Sequence, residues 1–218
     1  MSNEKGADIV LYSYFRSSSS ARLRIALNWK KMPYLMRPIN LLKGEQRSAE
    51  YAEINPNRSV PTLIVNDVKL VQSVAALEYL EDLYPGYPLL PLNPESRAKI
   101  REIVQVIVSD IQPVQNFRVL QKVDQAERTE WAKNTIEKGF EALETMLVPV
   151  ASQYCVGSSV TLADVCLAPQ MWNAQRFGVD LDRFPTIGRV CHNLMELEEF
   201  RAAHWQNQPD CPPELKGQ

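Results

Sequence analysis

The sequence predicts two parts in series, an α/β unit of roughly 80 residues and then an all-helical bundle. Three observations carry this. The strand-like runs, such as "DIVLYSY" (Asp8–Tyr14), all precede Pro85. A cluster of prolines follows, at Pro85, Pro88, Pro91 and Pro94; at that density proline stiffens the chain and excludes regular structure. Beyond Pro94 the apolar spacing is helical and no stretch reads as a strand. The expected domains are therefore 1–86, a proline-rich linker over 87–94, and a helical domain over 95–218.

Within the first part, Asp8–Tyr14 alternates and reads as a strand. Ser20–Lys31 has helical spacing, with Leu23, Ala26 and Leu27 on one face. "PYLMRPI" (Pro33–Ile39) reads as a second strand, and a short helix is expected over Gln46–Glu53. "VPTLIV" (Val60–Val65) and "VKLV" (Val68–Val71) are short strands around the Asn66-Asp67 turn. Ser73 then opens a helix that Pro85-Gly86 stops. The order is β-α-β-α-β-β-α. In the helical part, Thr161-Leu-Ala-Asp164 has the spacing of a capping box, in which each side chain satisfies the other residue's backbone amide. That is a folding element rather than a catalytic one.

Composition narrows the function. The 218 residues are 45% hydrophobic and 23% charged, enough for a substantial core. A net charge of −2 supplies no general attraction to nucleic acid or membrane. No apolar run reaches spanning length, and "MSNEKGAD" lacks the apolar core of a signal peptide. A cytoplasmic protein is expected, with neither a nucleic-acid nor a membrane partner. Cys155, Cys166, Cys191 and Cys211 form no CxxC pair, and the histidines are His192 and His204 alone, so no metal site is expected and the thiols read as free and buried.

Four consecutive serines, Ser17–Ser20, stand between the first strand and the first helix. One is enough to cap a helix. Three features point beyond capping. From Ile9 to Gly44 there is no acidic residue, but Arg16, Arg22, Arg24, Lys30, Lys31, Arg37 and Lys43 are present, with Arg22 and Arg24 in the expected first helical turn. A positive helix N-terminus ringed by hydroxyls suits an anion or a thiolate; a solvated basic face is the plainer alternative. Next, a proline opens the strand in "SVPTL". A cis Pro61 would leave the Val60 backbone open to an extended peptide, whereas a trans proline would simply start a strand. Finally, Gln72 and Ser73 form a second helix N-terminus, which is either an anion site or a cap. Together these features suit a small acidic peptide.

The combination resembles the glutathione transferase superfamily, with its thioredoxin-like N-terminal domain, VPTL proline, proline-rich linker and T-x-x-D box. More narrowly, "YFRSSSSARLRIAL" is similar to the zeta-class signature, and so are "PINLLKGEQ", "INPNRSVPTL", "QSVAALEYLE", "DIQPVQNFRVL", "TLADVCLAPQ", "NAQRFGVDL" and "HWQNQPDCPPEL". The match runs from Asp8 to Leu215. It implies the glutathione transferase architecture, reduced glutathione as cofactor, a homodimer, and a catalytic pair of serines. By position, Ser17 matches the serine that bonds the glutathione sulfur, and Ser18 the second signature serine, near both sulfur and substrate. Ser19 stands where the family usually has cysteine, which removes any covalent or redox role of that sulfur; Ser20 is left to start the helix. Gln46 matches the glycyl end of glutathione, Val60 the backbone clamp, and Gln72 and Ser73 the γ-glutamyl site. Gln112 and Asn116 match residues that the helical domain contributes to the pocket, and Arg176 an arginine that pairs with a substrate carboxylate. The implied activity is glutathione-dependent cis–trans isomerisation of a conjugated keto acid, such as maleylacetoacetate in phenylalanine and tyrosine breakdown. Conjugation of small electrophiles, isomerisation of a larger enone and a non-enzymatic interaction module are the alternatives.

Overall fold

The structure, a computed structural model, describes residues 8–217. The N-terminal stretch, read above as lacking a signal peptide, lies outside them, apart from its last residue, Asp8. The described residues form two compact units. One contains the chain up to Tyr87 together with the segment from Arg201 onward; the other is Pro88–Phe200.

The first unit is built on a four-stranded sheet of β1 (Ile9–Ser13), β2 (Leu35–Pro38), β3 (Thr62–Val65) and β4 (Val68–Leu70), in the order β2-β1-β3-β4. β1 runs parallel to β2 and antiparallel to β3, and β3 is antiparallel to β4. β1 alternates buried and half-buried residues, as its sequence pattern predicts. Helices α1 (Ser18–Trp29), α2 (Ala49–Ile54) and α3 (Ser73–Leu83) complete the α/β part. Leu23, Ile25, Ala26 and Leu27 of α1 and Leu77 and Leu80 of α3 are buried, and the two helices pack together.

Two local expectations are corrected. The helix expected over 46–53 is a 3₁₀ turn (Glu45–Arg47) followed by α2; they separate at Ser48, whose hydroxyl accepts from Tyr51 N–H and starts a new helix. The first helix begins at Ser18 rather than Ser20. Ser17 is its cap, with extended backbone and an Oγ that accepts from Ser20 N–H at 3.1 Å. Ser20 itself is fully buried, without a side-chain cap role.

The grouping of 201–218 also differs from the expected single helical domain over 95–218. The reason is polar as well as apolar, since Cys211, Trp205 and Leu215 pack with Tyr14 and Phe15. The fully buried Arg24 donates from Nε to Ala203 C=O at 3.1 Å, and Asp210 Oδ2 accepts from Phe15 N–H at 2.9 Å. Both bonds tie the terminal segment to the α/β part.

The second unit contains α4 (Pro94–Gln105), a π-helical segment (Val106–Ile111), α5 (Phe117–Leu120), α6 (Arg128–Leu147), α7 (Leu162–Arg176) and α8 (Pro185–Met195). α9 (Glu198–Ala203) runs across the division. The segment 84–93 has no helix or strand, and its Leu89 C=O accepts from Leu162 N–H at 2.9 Å. α4 then opens with Asn93 as cap and Pro94 in its first turn, as the fixed φ of proline favours. α7 is buried along almost its whole length and starts at the Thr161/Asp164 capping box. None of the four cysteines is in a disulfide, and all are buried.

Gly139 of α6 faces the end of the π-helical segment. A Cβ there would clash with the Ile111 side chain. Gly139→Ala should therefore destabilise the protein although alanine favours helix. Overpacking costs about 1–3 kcal/mol and helix propensity returns about 1 kcal/mol. A lowered urea midpoint at unchanged m-value checks this.

Candidate functional site

The antiparallel register pairs Tyr12 with Thr62, so the end of β1 lies beside the start of β3. The serine loop leaves one strand where Val60-Pro61 enters the other. β2 ends at the same edge, and Ile39 N–H donates to Ser13 C=O at 2.8 Å as the chain departs toward Gln46. One end of the sheet thus collects the serines, Val60 and the 39–46 segment.

At the head of α1, Ser17 is half-exposed. Its oxygen takes the Ser20 N–H, which fixes the side chain and occupies one lone pair. A hydroxyl still holds its proton in that arrangement, so it can donate to an anion in front of the helix. Ser18 is buried in the first turn and Ser19 is half-buried. Their amides belong to the set that a helix leaves unbonded at its N-terminus.

The Val60–Pro61 peptide is cis, one of the two alternatives left open by the sequence. Neither the N–H nor the C=O of Val60 bonds to another described residue. Gln72 starts α3 in extended conformation and makes no side-chain cap, so the reading of Gln72 as a plain cap is not supported. Ser73, buried in the first turn of α3, accepts from Arg22 Nη1 at 3.1 Å, which links α1 to the head of α3. Gln46 is buried; its Nε2 reaches Leu41 C=O at 3.5 Å, while Oε1 is buried with no hydrogen-bond partner.

The basic segment needs a different account from the one its sequence suggested. Because the helix starts at Ser18, Arg22 and Arg24 stand beyond its first turn, and both are buried. Arg24 donates to Ser13 Oγ (3.0 Å), Tyr14 C=O (3.4 Å) and Phe15 C=O (3.1 Å) as well as Ala203 C=O. Burial lowers its pKa to about 10, which leaves it charged at neutral pH. Lys30 is buried in an ion pair with Glu81 at 2.6 Å. These cations hold the fold rather than a ligand, and charge composition alone could not separate the two uses. The roles of Arg24 and Asp210 are not legible in the sequence, because apart from Ser13 Oγ their partners here are backbone groups, which leave no signature.

In the second unit, Gln112 follows the π-helical segment and is half-exposed. Asn116 caps α5, its Oδ1 accepting from Arg118 N–H at 3.0 Å. Arg176 is exposed in the last turn of α7, with its guanidinium 5.0 Å from the Phe177 ring centre. α7 packs against the π-helical segment that leads to Gln112. Asp164, expected only to close the capping box, does more. Besides Thr161 N–H (2.8 Å), its carboxylate accepts from Cys155 N–H at 2.8 Å.

Comparison with known proteins agrees with these features. The family model of the glutathione S-transferase N-terminal domain matches residues 7–82, and that of the C-terminal domain residues 112–202. A Drosophila melanogaster protein named probable maleylacetoacetate isomerase 2 is 50% identical over 217 residues, covering 98% of this chain and 96% of that protein. Maleylacetoacetate isomerase of Mus musculus is 48% identical, covering 95% and 97%. Among solved structures, a holo maleyl pyruvate isomerase, described as a bacterial zeta-class glutathione S-transferase, superposes with a TM-score of 0.90 at 37% identity, covering 93% of this chain and all of that one. Maleylacetoacetate isomerase from Anaeromyxobacter dehalogenans with bound GSH in its active site gives a TM-score of 0.86 at 41% identity, covering 95% and 99%. With an α/β unit and a helical unit that each match, and relatives this similar over nearly their whole length, the chain belongs to the glutathione S-transferase family, in its zeta class.

Proposed function

We propose that the chain is a glutathione-dependent cis–trans isomerase of a conjugated keto acid, with maleylacetoacetate as the substrate its relatives' names favour. The observation that carries this is Ser17, a cap whose oxygen is engaged and whose proton is free to donate at the head of a helix. The first unit fits an acidic tripeptide in three further places. The open Val60 N–H and C=O suit a peptide backbone, the uncapped head of α3 suits a carboxylate, and the buried Gln46 Oε1 lacks a donor. Glutathione, when bound, supplies the thiolate that adds to the cis double bond and leaves after rotation, so it is not consumed.

The protein's part is to hold that sulfur ionised and the substrate oriented. A free thiol has a pKa near ~8.5, and each unit of depression needs about 1.4 kcal/mol of preference for the anion. A hydroxyl bond and a helix N-terminus together supply that order of energy. Ser18 stands beside Ser17 as the second catalytic serine. Ser19 serves the same glutathione site without the sulfur that the family usually has there. In the helical unit we assign Gln112 and Asn116 to the glutathione and substrate site, and Arg176 to a substrate carboxylate. The first unit is then the glutathione domain and the second the substrate domain, and the protein is a cytoplasmic homodimer of phenylalanine and tyrosine breakdown. Among the described residues no helix is long and apolar enough to cross a membrane. The direct test is turnover of maleylacetoacetate with and without glutathione. Catalysis that needs glutathione but does not consume it supports isomerisation; stoichiometric consumption points to conjugation.

Arg176→Gln should weaken acidic substrates by about 1.5 kcal/mol, roughly tenfold. It should leave glutathione affinity unchanged and barely affect a neutral ester of the same substrate. Equal losses for acid and ester would make Arg176 structural.

A further inference from the structure

The serine loop is held from a direction that the glutathione site does not require. Phe15 has both of its peptide groups engaged. Its N–H donates to Asp210 Oδ2 at 2.9 Å, and its C=O accepts from Arg24 Nη2 at 3.1 Å. The same guanidinium takes Ala203 C=O at 3.1 Å, so both bonds lead into the terminal segment. The apolar contacts follow the same path. Tyr14, Phe15 and Cys211 form a buried cluster, with Leu41, Val60, Trp205 and Leu215 packed against it. The Phe15 and Trp205 ring centres are 6.4 Å apart, and Arg16 lies over the Trp205 ring at 4.7 Å.

Three pieces of the proposed glutathione site therefore rest on one small core that the terminal segment completes. The serine loop contributes Tyr14 and Phe15, the cis-proline turn contributes Val60, and the segment toward Gln46 contributes Leu41, whose carbonyl accepts from Gln46 Nε2. In the other direction, Ser17 N–H donates to Tyr14 C=O at 2.9 Å. A shift of residues 14–15 is thus passed to the catalytic hydroxyl through one hydrogen bond.

We infer that Asp210, with the terminal segment that carries it, is a positioning residue for Ser17, setting through Phe15 where the serine loop presents its hydroxyl. The inference rests on the glutathione reading above. It concerns placement, because Asp210 bonds to the loop backbone. Misplacing a reacting group by about an ångström costs up to a hundredfold in rate, whereas binding spread over several contacts changes less. The expected mark of this role is a loss in kcat with little change in glutathione affinity.

The test compares Asp210→Ala with Asp210→Asn in the full chain. Both remove the charge, but only alanine removes the oxygen that accepts from Phe15 N–H. Glutathione affinity is measured by calorimetry, turnover with maleylacetoacetate, and folding by the thermal midpoint. Asp210→Ala should lower kcat roughly tenfold while glutathione affinity stays within about threefold, and Asp210→Asn should restore most of the rate. Folded Asp210→Ala protein with unsubstituted kcat overturns the inference, as does an Asn variant as slow as the Ala variant. If Asp210→Ala does not fold, Asp210→Glu decides, since it keeps the charge but displaces the acceptor by one methylene. A lowered kcat supports the inference, and an unchanged one overturns it. Failure of the unsubstituted protein to bind glutathione would instead overturn the functional reading itself.

Discussion

Ser17→Ala should lower turnover roughly a hundredfold while leaving glutathione affinity within about threefold, in the range for deleting one preorganised donor to a reacting anion. The hydroxyl has two roles, and they can be separated. As a cap it accepts from Ser20 N–H, and its loss to alanine costs about 1 kcal/mol of stability. As a donor it favours the thiolate over the thiol. Glycine caps a helix within a few tenths of a kcal/mol of serine. Ser17→Gly should therefore keep most of the stability yet lose as much turnover as Ser17→Ala. The pH at which bound glutathione develops thiolate absorbance should rise in both variants. An unchanged apparent thiol pKa in either would refute the donor role.

What the sequence shows of this site depends on how local each interaction is. The capping box is legible because Thr161 and Asp164 are three residues apart and their roles follow from helix geometry. The element order β-α-β-α-β-β-α is legible because its runs are short and locally patterned, and the pairing of β3 with β4 follows from the tight Asn66-Asp67 turn between them. Among four serines, by contrast, composition does not mark the cap. That choice falls to Ser17 because its backbone is extended, leaving Ser20 to be buried in the first turn of α1. Arg22 and Arg24 show the same limit more strongly. Their density resembles an anion site, but Arg24 spends its donors on Ser13 Oγ and on carbonyls from residues 14, 15 and 203. Carbonyl acceptors are present in every residue, so no pattern of side chains announces them. The grouping of the terminal segment with the first unit is hidden for the same reason.

The largest stability effect is expected at Asp164. Its carboxylate is fully buried and accepts from Cys155 N–H and Thr161 N–H, each at 2.8 Å, and from the Thr161 hydroxyl at 2.9 Å. Burial raises its pKa against the hydrogen bonds, which favour the ionised form. Asp164→Ala leaves two backbone donors buried without acceptors, at about 1–3 kcal/mol each, and removes half of the capping box. A total of roughly 3–5 kcal/mol is a large share of a typical domain's stability of about 5–15 kcal/mol. Asparagine does not repair this. The two carboxylate oxygens face two different N–H donors, so whichever way the amide is turned, its NH₂ meets one of them. Asp164→Asn should therefore fall within about 1 kcal/mol of Asp164→Ala, although it is isosteric with the native residue. Urea midpoints of the three proteins, at equal m-values, measure this directly. An asparagine variant close to the unsubstituted protein would mean that only one of the two backbone donors depends on Asp164.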